Sequence, residues 1–407
     1  MVDERILTER LIGYDTSRPE ELLAAAGFVQ GWLESRDIEV RNHDHNGLPV
    51  LVAQAGAEVP GAPCVVFHGH LDVVPGRPEQ FEPRVEGDRL IGRGAYDMKG
   101  GLAAMMCALK DAEAQDRVRV RLICVPDEES EELDRRSTDD VVKRGLGGDF
   151  AITGEPTDLH IGVQAKGVLV MRIDVRGTAA HSSTPWLGDN AVLKAIDVFR
   201  AIQLLPFTRE SSELFDRPSI NLGRIRGGDA LNMVPDRCTM AVDVRYLPGQ
   251  DPGKILAQVR EIDDIDVTRT FIHPPVMVST ADPYVRALGD ALAGSDPELD
   301  TMSVGRDGAS DAASFIEAGI PAVEFGPTGA GHHGPEEWVS LASLTRYRGA
   351  LRDFLQAVPA RLEQSRRSAP APRARRSAGE GGTGWGEAEG DRSRPGVSLK
   401  AIEGGRG

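Results

Sequence analysis

Residues 64–76 read CVVFHGHLDVVPG. An unbroken apolar run stops at His70, and Asp72 follows two positions later. A run that is apolar on both faces is what a strand buried on both sides of a sheet requires. On the N-terminal side, PEELLAAAGFVQGWLESRD (19–37) spaces Leu22, Leu23, Ala26, Trp32 and Leu33 near the helical period, with Pro19 in the first turn. IEVRN (38–42) and VLVAQ (50–54) read as strands. On the C-terminal side, MKGGLAAMMCALKDAEAQ (98–115) reads as a helix, VRVRLICVP (118–126) as a strand that ends wholly apolar, and DFAIT (149–153) as a short strand. Strands alternating with helices predict an α/β fold, a sheet covered on both faces with its chemistry at the carboxyl ends of the strands.

The pattern changes near residue 168. VLVMRIDVRG, a helix over 189–204, SINLGRIRG, CTMAVDVRYLPG, a helix over 251–260 and IDVTRTFIH follow in β-α-β-β-α-β order, that of a ferredoxin-like α+β domain. The α/β pattern resumes near 275 with helices over 282–293, 311–318 and 340–358 and the strand PAVEFG. The expected organisation is a discontinuous α/β domain (1–167 and 275–360), an inserted α+β domain (168–274) and a tail (361–407). Gly, Pro, Ser, Arg and Glu dominate that tail, which is expected to be disordered.

The 407 residues are 40% hydrophobic and only 5% aromatic, so Ala, Val, Ile and Leu must fill the core. Lys and Arg number 47 against 63 Asp and Glu, a formal charge of −16, which argues against a nucleic-acid partner. No apolar run of membrane-spanning length occurs, so no membrane partner is expected. The segment MVDERILTER is charged and lacks the apolar core of a signal peptide. Cys64, Cys107, Cys124 and Cys238 are far apart and make no disulfide framework, and Cys64 and Cys124, inside apolar runs, read as buried reduced thiols. The expectation is a cytoplasmic protein.

His70 and Asp72, at i and i+2 in extended chain, project to the same side. One imidazole nitrogen can then hold a metal while the carboxylate holds the other N–H. His43-Asp44-His45 has the same spacing but lies beside Asn46-Gly47 and reads as a surface turn. GRGAYDMKGG (92–101) places Asp97 in a Gly-rich turn opening a helix, where free N–H groups favour an anion. VPDEES ends an apolar strand in Asp127, Glu128 and Glu129, and ITGEPTD ends another in Glu155. GAGHHGPEEWV offers His332 and His333 after the strand PAVEFG. Carboxylates at the tips of buried strands call for a compensating cation. His and carboxylate donors without Cys suit catalytic zinc or a related divalent ion.

These motifs, in this order over about residues 5–360, resemble the acetylornithine deacetylase / succinyl-diaminopimelate desuccinylase family of co-catalytic zinc amidohydrolases, the clan that includes carboxypeptidase G and the aminoacylases. The resemblance implies a zinc-peptidase-like catalytic domain with an inserted lid and dimerisation domain. It implies two divalent ions per subunit, zinc or alternatively cobalt, with His70 and Glu155 on one, Glu129 and His333 on the other, and Asp97 shared. His333 is preferred to His332 because it stands four residues before Glu337. Asp72 becomes the residue that orients His70, and Glu128 the general base. His181, in GTAAHSSTPWLGDNA, matches a histidine that supplies an oxyanion donor, from the partner subunit in dimeric members. Asn232, Arg245 and Ser310 match substrate-contacting positions, and a guanidinium suits a substrate carboxylate.

The hinge Ala165-Lys166-Gly167 stands where desuccinylases of this family have Arg-Arg-Gly, while GASDAASF (308–315) leans towards them. The function implied is hydrolysis of the amide bond of an N-acyl amino acid by a homodimer. A carboxypeptidase or dipeptidase of the same clan is the alternative, and a non-catalytic binding protein on the same scaffold a third reading.

Overall fold

The computed structural model describes residues 4–130, 136–295, 303–308 and 310–368. Cys64–His70 lies inside a nine-stranded mixed sheet and is buried along its whole length. It runs parallel to Arg119–Val125 on one side and to Phe150–Thr153 on the other, and Ala322–Glu324 continues parallel beyond Phe150–Thr153. Val40–His45 and Leu48–Gly56 extend the sheet past Arg119–Val125 as an antiparallel pair. At the opposite side Ile161–Ala165 pairs antiparallel with Ala322–Glu324 and Val276–Met277, and parallel with Ser303–Arg306. A strand with neighbours on both edges and helices packed against it exposes no side chain, which explains the unbroken apolar run.

Helices Pro19–Glu34, Gly100–Asp111, Pro283–Ser295 and Leu341–Ser368 share one core with the sheet. Leu33, Leu102, Met105, Leu288, Leu351 and Phe354 pack there with Val65, Phe67, Leu122 and Ile152. All four cysteines are buried and unpaired.

The chain leaves this sheet after Ala165 and enters a second one at Gly167. Ser219–Gly227, Arg237–Tyr246, Gly167–Arg176 and Ile265–His273 lie there in that order, all antiparallel. Alternate residues Leu169, Met171, Ile173, Met240, Val242 and Val244 pack under helices Ala191–Ile202 and Pro252–Arg260. The chain returns beside its point of departure. His273 pairs with Val168 in the second sheet, and Val276 pairs with Ala165 in the first.

One expectation changes. Residues 361–368, read as the start of the tail, continue the last helix to Ser368. Leu362 packs on the core, Arg361 pairs with Asp290 at 2.5 Å and Glu363 with Arg117 at 2.9 Å, so composition alone understated what this segment can bind. The remainder of the expected tail, 369–407, lies outside the described residues, as does Ala309.

Candidate metal centre

Four parallel strands determine the site. Their register sets His70 level with Val125 and His68 level with Thr153. The chain past Val125 therefore carries Asp127, Glu128 and Glu129 to the same end as His70, and the chain past Thr153 carries Glu155 there. The loop after Ala322–Glu324 adds His332 and His333.

Asp97 sits at the centre. Its Oδ1 lies 3.0 Å from His70 Nε2, and its Oδ2 lies 2.5 Å from His332 Nε2 and 3.4 Å from His333 Nε2. Glu155 Oε1 is 3.8 Å from His70 Nε2, and Glu129 Oε1 is 2.7 Å from His333 Nε2. The five expected ligands thus converge. His332 joins them: His70, Asp97 and Glu155 form one group of donor atoms close enough to hold an ion, and Asp97, His332 and His333 form another.

The electrostatics reflect the crowding. Burial alone would raise the Asp97 carboxyl, but the contacts with His332, His333 and His70 hold it well below its ordinary range. Burial and the charge of Asp97 push Glu155 well above its own. Burial likewise pushes Glu128 up to about 8. Bonds to Asp97 and Glu129 lift His333 to about 10. Carboxylates and imidazoles gathered this closely form a donor set that fits divalent cations.

Asp72 meets His70 twice: the Nδ1–H of His70 donates to the main-chain carbonyl of Asp72 at 2.9 Å, and the Asp72 carboxylate lies 3.5 Å from the same nitrogen. That carboxylate also accepts the backbone N–H groups of Glu128 and Glu129 at 3.2 and 2.7 Å. One local expectation is corrected. The Gly-rich turn does bind an anion, but the anion is Glu337 and not the side chain of Asp97. The N–H groups of Gly94, Tyr96 and Asp97 all donate to the Glu337 carboxylate at 3.0 Å.

The surface reading of His45 also fails. It is buried, its Nδ1 lies 2.8 Å from Asp140 and its Nε2 lies 3.5 Å from Asp127. Asp127 in turn accepts from the backbone N–H and the hydroxyl of Ser137. His68 and Asp311 form a second buried group beside the site. Thr138 Oγ1 donates to Asp311 at 2.6 Å, so its lone pair receives His68 Nε2–H at 2.9 Å. Burial lowers His68 to about 4, leaving it neutral.

A cavity of about 370 Å³ opens over the centre, lined by Asp97, Glu128, Glu129, Glu155, His332 and His333 on one side. The second sheet contributes Val168, Val170, Asp243, Arg245, Phe271 and His273, the residues alternating with those under its helices. Ser310 and Asp311 line it as well. Arg245 already donates to Asp243 through Nε and Nη2 at 3.1 Å. His181 and Asn232 do not line the cavity. They are exposed neighbours on the inserted segment, where Ser182 N–H donates to the Asn232 carbonyl at 3.0 Å and His181 Nδ1 meets Ser183 Oγ at 2.8 Å.

Comparison with known proteins accords with this geometry. Residues 66–357 match peptidase family M20/M25/M40. A succinyl-diaminopimelate desuccinylase of Acidiphilium cryptum is 30% identical over 344 residues, 79% of this chain and 87% of that one. Another, from Dinoroseobacter shibae, is 29% identical over 391 residues, 87% of this chain and all of that one. An M20-family metallo-carboxypeptidase of Sulfolobus solfataricus superimposes with a TM-score of 0.74 at 20% identity, covering 88% of this chain and 100% of the other. A dinuclear metal-binding M20 peptidase of Bacillus subtilis does so at 0.62 and 18% identity, covering 87% and 98%. Parallel strands that deliver the motif residues to one cavity, and a sequence match across most of the chain, lead to the same conclusion: the protein is a member of peptidase family M20/M25/M40.

Proposed function

We propose that this protein is a metal-dependent amidohydrolase that cleaves the amide bond of an N-acyl amino acid, of the type for which its desuccinylase relatives are named. One observation carries the reading: Asp97 stands between two groups of ligand-competent side chains on the floor of one cavity. His70 and Glu155 would hold one divalent ion and Glu129 and His333 a second, with Asp97 shared. Zinc suits these donors best and cobalt is the alternative. Bound there, the two ions would acidify water and polarise the amide carbonyl.

The chain's own residues do the rest. The Asp72 carbonyl holds His70 Nδ1–H and so leaves the Nε2 lone pair to a ligand bond. The Asp72 carboxylate fixes the backbone under Glu128 and Glu129. Glu128 lines the cavity, takes the proton of the attacking water and returns it to the leaving nitrogen. Arg245, pre-oriented by Asp243, receives the substrate carboxylate, with Ser310 beside the acyl group.

His181, exposed on the inserted segment, acts on the site of a partner subunit in a homodimer, and Asn232, exposed beside it, contacts substrate. Residues 168–274 form the lid and dimerisation domain, and 1–167 with 275–360 the catalytic domain. Among the described residues no helix is long and apolar enough to cross a membrane. A free N-acyl amino acid as substrate supports a cytoplasmic location. The test is an assay of purified, zinc-loaded protein against succinyl-diaminopimelate, acetylornithine and simple dipeptides. Turnover of an N-acyl amino acid that a chelator abolishes supports the reading. Turnover of dipeptides alone would replace it with the peptidase alternative.

A further inference from the structure

We propose that Glu337 and Arg93 are positioning residues, locking together the two loops that carry Asp97 and His333 so that the metal centre is preorganised. The inference rests on the metal-centre reading above.

Glu337 is 1% exposed and does not line the cavity. A carboxylate offers about four acceptor positions, and here all four are used. Oε1 accepts the N–H groups of Tyr96 and Asp97, each at 3.0 Å. Oε2 accepts the N–H of Gly94 at 3.0 Å and Arg93 Nη1 at 2.8 Å. Three of those donors belong to the turn that presents Asp97, the residue shared by both ligand groups. The fourth reaches further. Arg93 Nη2 donates to the main-chain carbonyl of His333 at 3.1 Å, so the same buried ion pair grips both loops.

His333 needs that grip. Its φ of 58° lies in the left-handed region, which a residue with a side chain keeps only where its surroundings hold it. A planar guanidinium can bind the Glu337 carboxylate with one nitrogen and the His333 carbonyl with another, whereas an ammonium is a single point of donation. Arg348, with Glu4 at 3.0 Å and Asp111 at 2.7 Å, forms a comparable partly buried cluster, and none of these three lines the cavity. It provides the contrast between holding the fold and holding the ligands.

Co²⁺ titration of chelator-treated protein tests this, read by affinity and by the visible absorption of the bound ion. Glu337→Gln should weaken Co²⁺ binding about 10–100-fold, the usual effect of losing a residue that supports metal ligands, and should change the absorption. Arg348→Met should lower Tm yet leave affinity and absorption as in the parent. Should Glu337→Gln fail to fold, Arg93→Lys keeps the charge without the fork and should weaken Co²⁺ in the same direction. Parental affinity and absorption in whichever of Glu337→Gln or Arg93→Lys is folded, or equal weakening in Arg348→Met, overturns the proposal. A parent protein that takes up no Co²⁺ would instead remove the metal centre on which it depends.

Discussion

Glu128→Gln separates activity from stability in a way the site itself specifies. The substitution keeps size and shape, and the backbone at residue 128 stays anchored by Asp72 and by Arg136, which donates to the carbonyls of Asp127 and Glu128. Losing a general base lowers kcat by about 10²–10⁴, or roughly 3–5 kcal/mol of barrier. Stability should move the other way. Burial pushes the Glu128 carboxyl up to about 8 from an ordinary 4.5. Ionising it in the metal-free fold therefore costs roughly 5 kcal/mol at about 1.4 kcal/mol per pH unit. The side chain is not wholly shielded from solvent, so the cost is smaller than that. The sign follows from linkage: the folded state binds more protons between pH 4.5 and 8, so the penalty is absent below that window, grows through it and is complete above it. Metal-free Glu128→Gln should thus unfold about 3 °C above the metal-free parent at pH 8 and together with it near pH 4.5. Chelator-treated samples melted at both pH values, with kcat and metal content measured on the loaded enzymes, give the answer. A variant within tenfold of parental kcat would refute the base assignment, and a stability difference that does not change with pH would refute the burial argument.

His333→Ala should lose one of two bound divalent ions while His332→Ala keeps both; metal analysis reversing that order would exchange the two histidines. Arg245→Ala should raise KM for substrates with a free carboxylate more than it lowers kcat, and an unchanged KM would detach Arg245 from substrate. His181→Ala should keep the fold and both ions yet lose about 10²–10³ in kcat, the scale of one oxyanion donor. Mixing it with Glu128→Gln subunits should restore part of the activity, and verified hybrid dimers that stay inactive would end the partner-subunit role.

Local chemistry is legible without a structure. CVVFHGH reads as a buried strand because its apolar residues suit a strand with neighbours on both edges and both faces, and its two histidines are buried only with polar partners. The alternation in Arg237–Tyr246 likewise announces two faces, since the side-chain period of a strand is two whatever surrounds it. Periodicity alone does not say what the polar face meets; only the resemblance set Arg245 against substrate. Val244 lies under the helices and Arg245 over the metal centre, and a slip of one residue would exchange them. The same limit explains the readings that changed. His45 is buried only because Asp127 and Asp140, 82 and 95 residues away along the chain, close over it. Residues 361–368 are helical because Asp290, Arg117 and the core lie within reach. Glu337 shows the division most sharply. Its spacing from His333 marked a motif, but only the fold brings its carboxylate to the Asp97 turn 240 residues earlier. By itself the sequence determined most of the element types, the order of the motifs and the kinds of donor present, because backbone period and side-chain chemistry are properties of short segments. Tertiary structure decided which donors meet, which face is covered and which carboxylates lie buried, because burial and pairing depend on strands and loops distant along the chain.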